Sequence, residues 1–408
     1  MVNVSTIKVA ILGFGTVGEG VYKTIQSHQE KLKGVLGKSV EVAAVLVKNK
    51  HKKRDINEGI LVTEDFEEIL NLKELDVVVE AIVGEDPAFS YLEKAIQKGC
   101  HIITANKEMF ALHGTTLQKL ADEHQVSVGF EATVAGGVPV IQTVQQLLNI
   151  NQIIKMEGIL NGTSNYILTE MRANQVSFSE ALEAAQVKGY AEADPTNDVE
   201  GYDAFYKLMI LSEIAFGEKP DWSNVPREGI TEITPEQIKE AEKLGLRFKL
   251  IASIEQSQGE TKGYVRPTLV SESHPLYHIE GVENSVSIEA DIVGRITLQG
   301  PGAGMLPTTS AVIEDLIHVV LGNGQQAIFS GVPSGLLKQD EKQQQKWLIM
   351  NKNGVLLTSS SSTQKESHVL VKADEPTIHT LRDDNKQASF FQVLGEMKSN
   401  LFVRNDSA

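Results

Sequence analysis

The chain has 408 residues, 41% hydrophobic and 23% charged, which are globular proportions in a length that calls for more than one core. Its formal net charge of −16 argues against a nucleic-acid partner, because neutralising phosphates needs a basic face. Cys100 is the only cysteine, so an intrachain disulfide framework and a thiolate-rich metal site are both excluded.

The N-terminal "MVNVSTIKVAILGFG" shows no charged leader ahead of a long apolar run. No segment approaches the roughly 20 apolar residues of a membrane span, so a cytoplasmic chain without a membrane partner is expected. A β-branched strand, Ile7 to Leu12, runs into "GFGTVG", which places Gly13, Gly15 and Gly18 in the G-x-G-x-x-G spacing. A helical pattern (Val17, Val21, Ile25) follows, so both context requirements of a dinucleotide turn are met. Gly13 permits the tight turn, Gly15 lets the backbone approach a pyrophosphate, and Gly18 allows close helix–strand packing. The helix start offers N–H donors to the phosphates.

Strand-like runs recur at Val40–Val47, Leu75–Val83, His101–Thr104 and Val126–Phe130, with helical stretches such as "DPAFSYLEKAIQKG" between several of them. This alternation predicts an α/β, doubly wound parallel sheet of Rossmann type. Gly84, Asn106 and Lys107 follow strand ends and should line its crevice. The second strand does not end in the acid that binds ribose hydroxyls. It runs into "KNKHKKR", whose Lys48 is nearest the strand end and is placed to pair with a 2′-phosphate, favouring NADP over NAD; a solvated basic loop is the alternative.

Beyond "FEATVAGGVPVIQTVQQLL" a helix is expected over Val140–Leu148, then a strand Ile153–Leu160, a polar corner Asn161–Ser164 and another helix. Ser177 and Glu180 form a capping box. The next stretch, "GYAEADPTNDVEGYDAFYKL", crowds Glu192, Asp194, Asp198, Glu200 and Asp203 in front of Lys207. "AEADPTND" reads as an exposed loop, with Asp198 capping a helix from about Val199 to Ala215. Asp203 and Lys207 then share a face at i, i+4, at the border of a polar mouth and an apolar interior. Burial lowers a lysine's pKa and a nearby aspartate raises it. An exposed ion pair, a solvated loop and a divalent-metal site are the other readings of the same residues.

"GFGTVG", "ITANK", "EATVAGGVP", "GILNGTSNYIL", "GYAEADPTNDVEGYDAFYKLMIL" and "GRITLQGPGAGMLPTTSAV" occur in this order, and with them the chain resembles homoserine dehydrogenase over roughly residues 5–325. The resemblance implies reversible hydride transfer between NAD(P)H and aspartate 4-semialdehyde, giving homoserine, in threonine and methionine biosynthesis. It implies Lys207 as acid/base with Asp203 beside it, and Glu192, Lys107 and Asp198 around a small amino-acid substrate. Cofactor contacts are expected along Gly13, Phe14, Gly15, Thr16, Val17 and Gly18 and at Lys48, Gly84, Thr104 and Lys107, and the resemblance adds Gly302; the loop after Lys48 departs from the family and leaves the choice of coenzyme open. Glu131, with the backbone near Val134, Gly136 and Val138, matches a monovalent-cation site for Na+ or K+. A homodimer is implied as well.

The expected domains are 1–135 (nucleotide-binding, with 305–325 packing back on it), 136–304 (α+β, substrate and dimerisation) and 326–408 (a small, divergent α+β segment, ACT-like). The last lacks the Asp-x-Pro-Gly turn expected of such a unit, and "SSSST" interrupts it, which places threonine inhibition in doubt. Two rivals are weighed: a thioester-forming semialdehyde dehydrogenase needs a cysteine nucleophile, but Cys100 lies at the start of the strand "HIITA", the wrong end of the sheet for catalysis, and reads as packing; the other is a nucleotide-sensing binding module without catalysis.

Overall fold

The structure, a computed structural model, describes residues 6–217, 220–257, 260–322, 344–351 and 368–397. By its contacts the chain divides into two compact units. The first comprises residues 1–153, 206–222 and 284–332, and the second 154–205, 223–283 and 333–408. The sequence boundaries after 135, 304 and 325 do not coincide with this division. Stretches of the expected substrate domain pack with the first unit, because long-range burial, unlike a local change of pattern, decides which core a segment joins.

The chain opens with β1 (Thr6–Leu12), α1 (Thr16–Ser27), α2 (Gln29–Leu36), β2 (Ser39–Leu46), β3 (Leu61–Thr63), α3 (Phe66–Leu70), β4 (Val77–Glu80), α4 (Ala88–Gln97), β5 (His101–Thr104), α5 (Lys107–Glu123) and β6 (Val128–Gly129). The strands form one sheet in the order β3-β2-β1-β4-β5-β6, parallel throughout. The order reverses between β1 and β4, so a crevice opens beyond their C-terminal ends.

Two expected strands are shorter than their apolar runs. Leu75–Val83 stays in the sheet only to Glu80, whose carboxylate accepts the Ile82 N–H, and Gly84 then turns at φ +91. Val83, 92% exposed, is out of the core altogether. Val126–Phe130 contributes only Val128 and Gly129. The short β3 carried no signal of its own and forms by adding to β2.

The chain continues through α6 (Val140–Leu147), β7 (Ile153–Ile159), α7 (Gly162–Asn174), α8 (Phe178–Val187), α9 (Thr196–Val199), α10 (Tyr202–Phe216), α11 (Pro235–Lys243), β8 (Leu246–Ser257), β9 (Glu260–Ser271), β10 (Glu283–Ala290), β11 (Gly294–Pro301), α12 (Met305–Leu321), β12 (Gln345–Asn351), β13 (His368–Ala373), α13 (Glu375–Asp384) and β14 (Ala388–Leu394). The Ser177–Glu180 capping box forms at the start of α8. Within the first unit, α12 buries Ala311, Val312, Ile313, Leu316 and Val319 in the same apolar cluster as β1, α1 and β2.

The expected loop "AEADPTND" contains the one-turn α9, and the long helix begins at Tyr202, not Val199. Gly201, at φ +79, separates the two, so Asp198 belongs to α9 and does not cap α10.

In the second unit the strand order is β7-β8-β9-β14-β12-β13. The described part of the C-terminal segment is therefore not a body of its own. β14 pairs in parallel with β9 through Val393–Leu269 and Leu394–Val270, and β12 and β13 add antiparallel to it. Arg266 rivets this seam. Only 2% exposed, it donates to Gln392 Oε1 (2.7 Å), pairs with Glu375 and lies over the Tyr264 and Trp347 rings. "SSSST" lies outside the described residues.

Candidate active site

In the first unit the glycine turn has the shape its spacing predicts. Gly13 has φ +94, and a Cβ there would meet Ala81 O at 2.6 Å. A Cβ on Gly18 would meet Gly13 O at 2.0 Å, whereas one on Gly15 would meet nothing within 4 Å. Gly13 and Gly18 are thus closed by the protein itself, and Gly15 faces open space. Gly15 is also the N-cap of α1, which no side chain caps, so the helix start presents its N–H groups outward. These features fit a bound pyrophosphate. Gly15 and Thr16 are exposed, while Phe14 and Val17 turn inward against the core and Phe14 packs on Tyr22.

Opposite this turn, Glu80 is fully buried at the end of β4. Its Oε2 accepts from Thr104 Oγ1 (2.6 Å) and its Oε1 from Ile82 N (2.5 Å). Burial pushes its carboxyl up to about 7, against the lowering pull of these donors. Thr104 Oγ1 accepts in turn from Asn106 N (3.0 Å). The Asn106 side chain donates to Gly84 O (2.7 Å) and accepts from Met109 N (3.1 Å), which caps α5. Lys107, half-buried, is the first residue of α5. Sequence reasoning placed Gly84, Thr104, Asn106 and Lys107 here and missed Glu80. The available signal was an acid at the end of a run of valines.

At the end of β2, Lys48 is exposed. The basic loop after it is folded on itself: Arg54 donates to the carbonyls of Asn49 and Lys52 (both 2.8 Å), and Lys50 N to Glu64 Oε1 (2.8 Å).

In the acid-rich stretch the five carboxylates separate by role. Asp194 accepts from Thr196 N and Oγ1 and closes a turn. Glu200 accepts from Thr231 Oγ1 (3.0 Å). Glu192 is exposed. Asp198 and Asp203 converge on one amide: Asn161 Nδ2 donates to Asp198 Oδ1 (2.7 Å) and Asp203 Oδ2 (2.8 Å). Asn161 also caps α7 by accepting from Ser164 N (2.7 Å). It was read only as part of a polar corner, because its partners are 37 and 42 positions away. Asp203 is 4% exposed and Lys207, one turn further along α10, is 7% exposed. An exposed ion pair is therefore the wrong description of these residues.

Glu131 is buried, and its two oxygens accept from Ile141 N (2.9 Å) and Gln142 N (2.8 Å) at the start of α6. Its own N–H donates to Asp315 Oδ2 (2.8 Å). Burial raises Glu131 to about 7 and Asp315 well above the usual aspartate range. The neighbouring turn has Ala135 and Gly136 at φ +55 and +53, and the Val138 carbonyl accepts from Val140 N (2.8 Å). Gly302 is packed shut: a Cβ there would meet Asn284 Cγ at 2.0 Å, and one on Gly136 would meet Gly302 O at 2.4 Å. Among the described residues, no group of three or more His, Cys, Asp or Glu is placed to hold a metal ion.

Cys100 is buried, its thiol is pushed up to about 11 by burial, and Sγ donates to Leu75 O (3.3 Å). A thiol so protonated and enclosed is not a nucleophile. The thioester rival falls with it.

Comparison with known proteins agrees with this geometry. The family described as "Homoserine dehydrogenase, NAD binding domain" matches residues 13–131, and "Homoserine dehydrogenase" matches residues 139–317. The homoserine dehydrogenase of Bacillus subtilis is 40% identical over 316 residues, covering 77% of this chain and 73% of that protein. That of Neisseria gonorrhoeae is 41% identical over 313 residues, covering 77% and 72%. The crystal structure of a homoserine dehydrogenase from Thiobacillus denitrificans superposes with a TM-score of 0.85 at 31% identity, over 96% of this chain and 99% of that one. A hyperthermophilic archaeal homoserine dehydrogenase in complex with NADPH gives a TM-score of 0.67 at 26% identity, over 78% and 98%. With the dinucleotide turn, the crevice behind it and the buried Asp203–Lys207 turn of helix, these matches establish that the chain belongs to the homoserine dehydrogenase family.

Proposed function

We propose that this chain interconverts L-homoserine and aspartate 4-semialdehyde with Lys207 as the acid/base at the substrate oxygen. The observation that carries this is a lysine 7% exposed, one helical turn from an aspartate 4% exposed. In the reducing direction the Lys207 ammonium gives its proton to the aldehyde oxygen as the carbonyl carbon receives hydride. In the oxidising direction the neutral amine takes the hydroxyl proton as hydride leaves the same carbon. The bound nicotinamide supplies or accepts that hydride. Asp203 and Asp198, held by Asn161, are the carboxylates suited to the substrate's ammonium group, with Glu192 at the exposed end of the stretch. Lys107, at the cationic start of α5, serves the substrate's negative end.

Within the coenzyme class, NADP is favoured. Lys48 is an exposed cation two residues beyond β2, and the structure of a hyperthermophilic archaeal homoserine dehydrogenase is in complex with NADPH. Replacing Lys48 by alanine should weaken NADP(H) about three- to tenfold and leave NAD(H) nearly unchanged, the scale of one charge-assisted contact. Titration of both reduced coenzymes by fluorescence reads this, and equal losses count against the assignment. The proposal includes a Na+ or K+ ion beside Glu131, held through the backbone turn near Val134, Gly136 and Val138. Glu131 itself holds α6 against that turn. The proposal also includes a cytoplasmic homodimer acting on a small molecule, without nucleic-acid or membrane partners. Among the described residues no helix is long and apolar enough to cross a membrane.

The direct test is to incubate the folded protein at alkaline pH with L-homoserine and each oxidised coenzyme and follow the reduced-nicotinamide absorbance. Absence of reduction with both would leave a nucleotide-binding module.

A further inference from the structure

The last residue of β4 poses a physical problem. Val77, Val78 and Val79 are fully buried, and the next position in the same strand, also at zero exposure, holds a glutamate. A valine there would continue the apolar run, whereas a buried carboxyl must be compensated by donors. Apolar burial therefore does not account for Glu80; the groups it holds do.

The contacts of Glu80 identify those groups. It stands opposite Leu12 in the parallel β1–β4 ladder, one residue before the Gly13 turn. Its Oε1 takes the Ile82 N–H and fixes the loop that leads to Gly84. Its Oε2 takes the Thr104 hydroxyl at the end of β5. Its own carbonyl accepts from Ala105 N (3.1 Å). Thr104 Oγ1 then holds Asn106 N, and Asn106 ties back to Gly84 O while capping the helix that begins with Lys107. The two loops that follow β4 and β5 form a closed ring of hydrogen bonds with one carboxylate as its common acceptor.

We propose that Glu80 is a positioning residue for hydride transfer, setting through Thr104 and Asn106 the floor of the nucleotide crevice against which the reacting half of the coenzyme rests. The geometry requires an acceptor at both oxygens. A glutamine offers one oxygen and one N–H2, so it keeps the Ile82 bond but meets the Thr104 hydroxyl as a donor. That hydroxyl already accepts from Asn106 N, and its proton loses its acceptor. The ring opens at one place while volume and packing are preserved. The inference rests on the homoserine dehydrogenase activity but not on the role given to Lys207.

The experiment compares wild type and Glu80→Gln in homoserine-dependent coenzyme reduction. It also measures reduced-coenzyme affinity by fluorescence, thermal midpoint, and the deuterium isotope effect on kcat with homoserine labelled at the reacting carbon. The expected result is a midpoint near wild type, coenzyme affinity within about threefold, kcat lower by about ten- to a hundredfold, and a larger isotope effect, as a small misplacement of reacting atoms produces. A variant that merely folded less well would lower kcat in proportion to its active fraction and leave the isotope effect where it was. That outcome, or an unchanged kcat, overturns the inference. Glu80→Ala, which removes both acceptors, should fall further in kcat; a milder loss than in Glu80→Gln also counts against it. An inactive wild type would overturn the family activity itself, a failure distinct from this one.

Discussion

The glycine turn at Gly13–Gly18 and the acid-rich stretch Gly189–Leu208 are the two regions to which the proposed function assigns chemistry, but through different atoms. At the turn the backbone does the work. Gly13 and Gly18 are filled by neighbouring main-chain oxygens, and Gly15 is left open for the ligand. In the acid-rich stretch the proposed role rests on which side chains meet: two of five carboxylates share the Asn161 amide, one closes a turn, one accepts from Thr231 and Glu192 is exposed. Backbone chemistry leaves a fixed spacing of one residue type. Side-chain chemistry is written in partners far away in the chain.

The largest expected effect tests the side-chain half of this contrast. Lys207→Ala should lower turnover by about 10²–10⁴-fold, the usual worth of a general acid/base, with coenzyme affinity nearly unchanged. Lys249 is the control. It is the more deeply buried lysine, 2% exposed and held down to about 8 by burial, yet its ammonium bonds to Asn165 Oδ1, Ile279 O and Glu280. Lys249→Met should lower the thermal midpoint and leave kcat per folded enzyme unchanged. The reverse pattern would show that burial, not position on α10, marks the reacting lysine.

The backbone half is tested by two alanines three residues apart. Gly18→Ala forces a Cβ to 2.0 Å from Gly13 O and should cost about 1–3 kcal/mol of stability along with coenzyme binding. Gly15→Ala, at φ −88 with nothing within 4 Å, should leave stability within about 0.5 kcal/mol and still weaken coenzyme binding about tenfold, because its methyl group occupies phosphate space. Calorimetry and coenzyme titration separate the two. Full coenzyme affinity in Gly15→Ala would remove the pyrophosphate from this turn.

The same contrast explains what could be read before the structure was known. The parallel sheet, the Ser177–Glu180 capping box and the α12 segment follow from local patterns and were legible. The pairing of β14 with β9 was not, since strand pairing is decided by partners more than a hundred residues away and left "SFFQVL" looking like part of a separate domain. Asp198 was misread as a helix cap because capping is a local rule, and the break at Gly201 and the pull of Asn161 outweighed it. Glu80 was hidden inside "LDVVVEAIV", where an acid among valines looks like an outward-facing strand position.

Asn161→Ala carries the comparison to a middle-sized effect. The α7 cap should cost about 1 kcal/mol, as such caps generally do. Asp198 and Asp203 would lose their common donor, and homoserine KM should rise about tenfold with a smaller change in kcat if those carboxylates hold the substrate's ammonium. Asn161→Ser restores a cap oxygen but cannot span both carboxylates as the amide does, so it should recover stability ahead of KM; recovery of both together would assign Asn161 to folding alone.

The smallest effect concerns a buried acid far from both regions in sequence. Asp315 accepts the Glu131 N–H inside the first unit, where burial and the Glu131 charge hold its pKa well above the usual aspartate range. The folded protein therefore keeps this proton to higher pH than the unfolded chain does. Its stabilising contribution is full below an ordinary aspartate's pKa of about 3.9 and is lost as pH rises through the folded value. Glu131, raised to about 7, has the same sign over a window above the ordinary glutamate value. In Asp315→Asn the amide oxygen can still accept the Glu131 N–H, and nothing remains there to ionise. The thermal midpoint should rise at neutral pH by about 2–4 °C if the relief is about 1 kcal/mol, and its decline from acid to neutral pH should flatten without disappearing, because Glu131 still titrates. A midpoint that falls at neutral pH would mean that Asp315 is held there as a stabilising charge, and that buried acids in this unit, like those of the acid-rich stretch, are defined by partners that a local reading does not find.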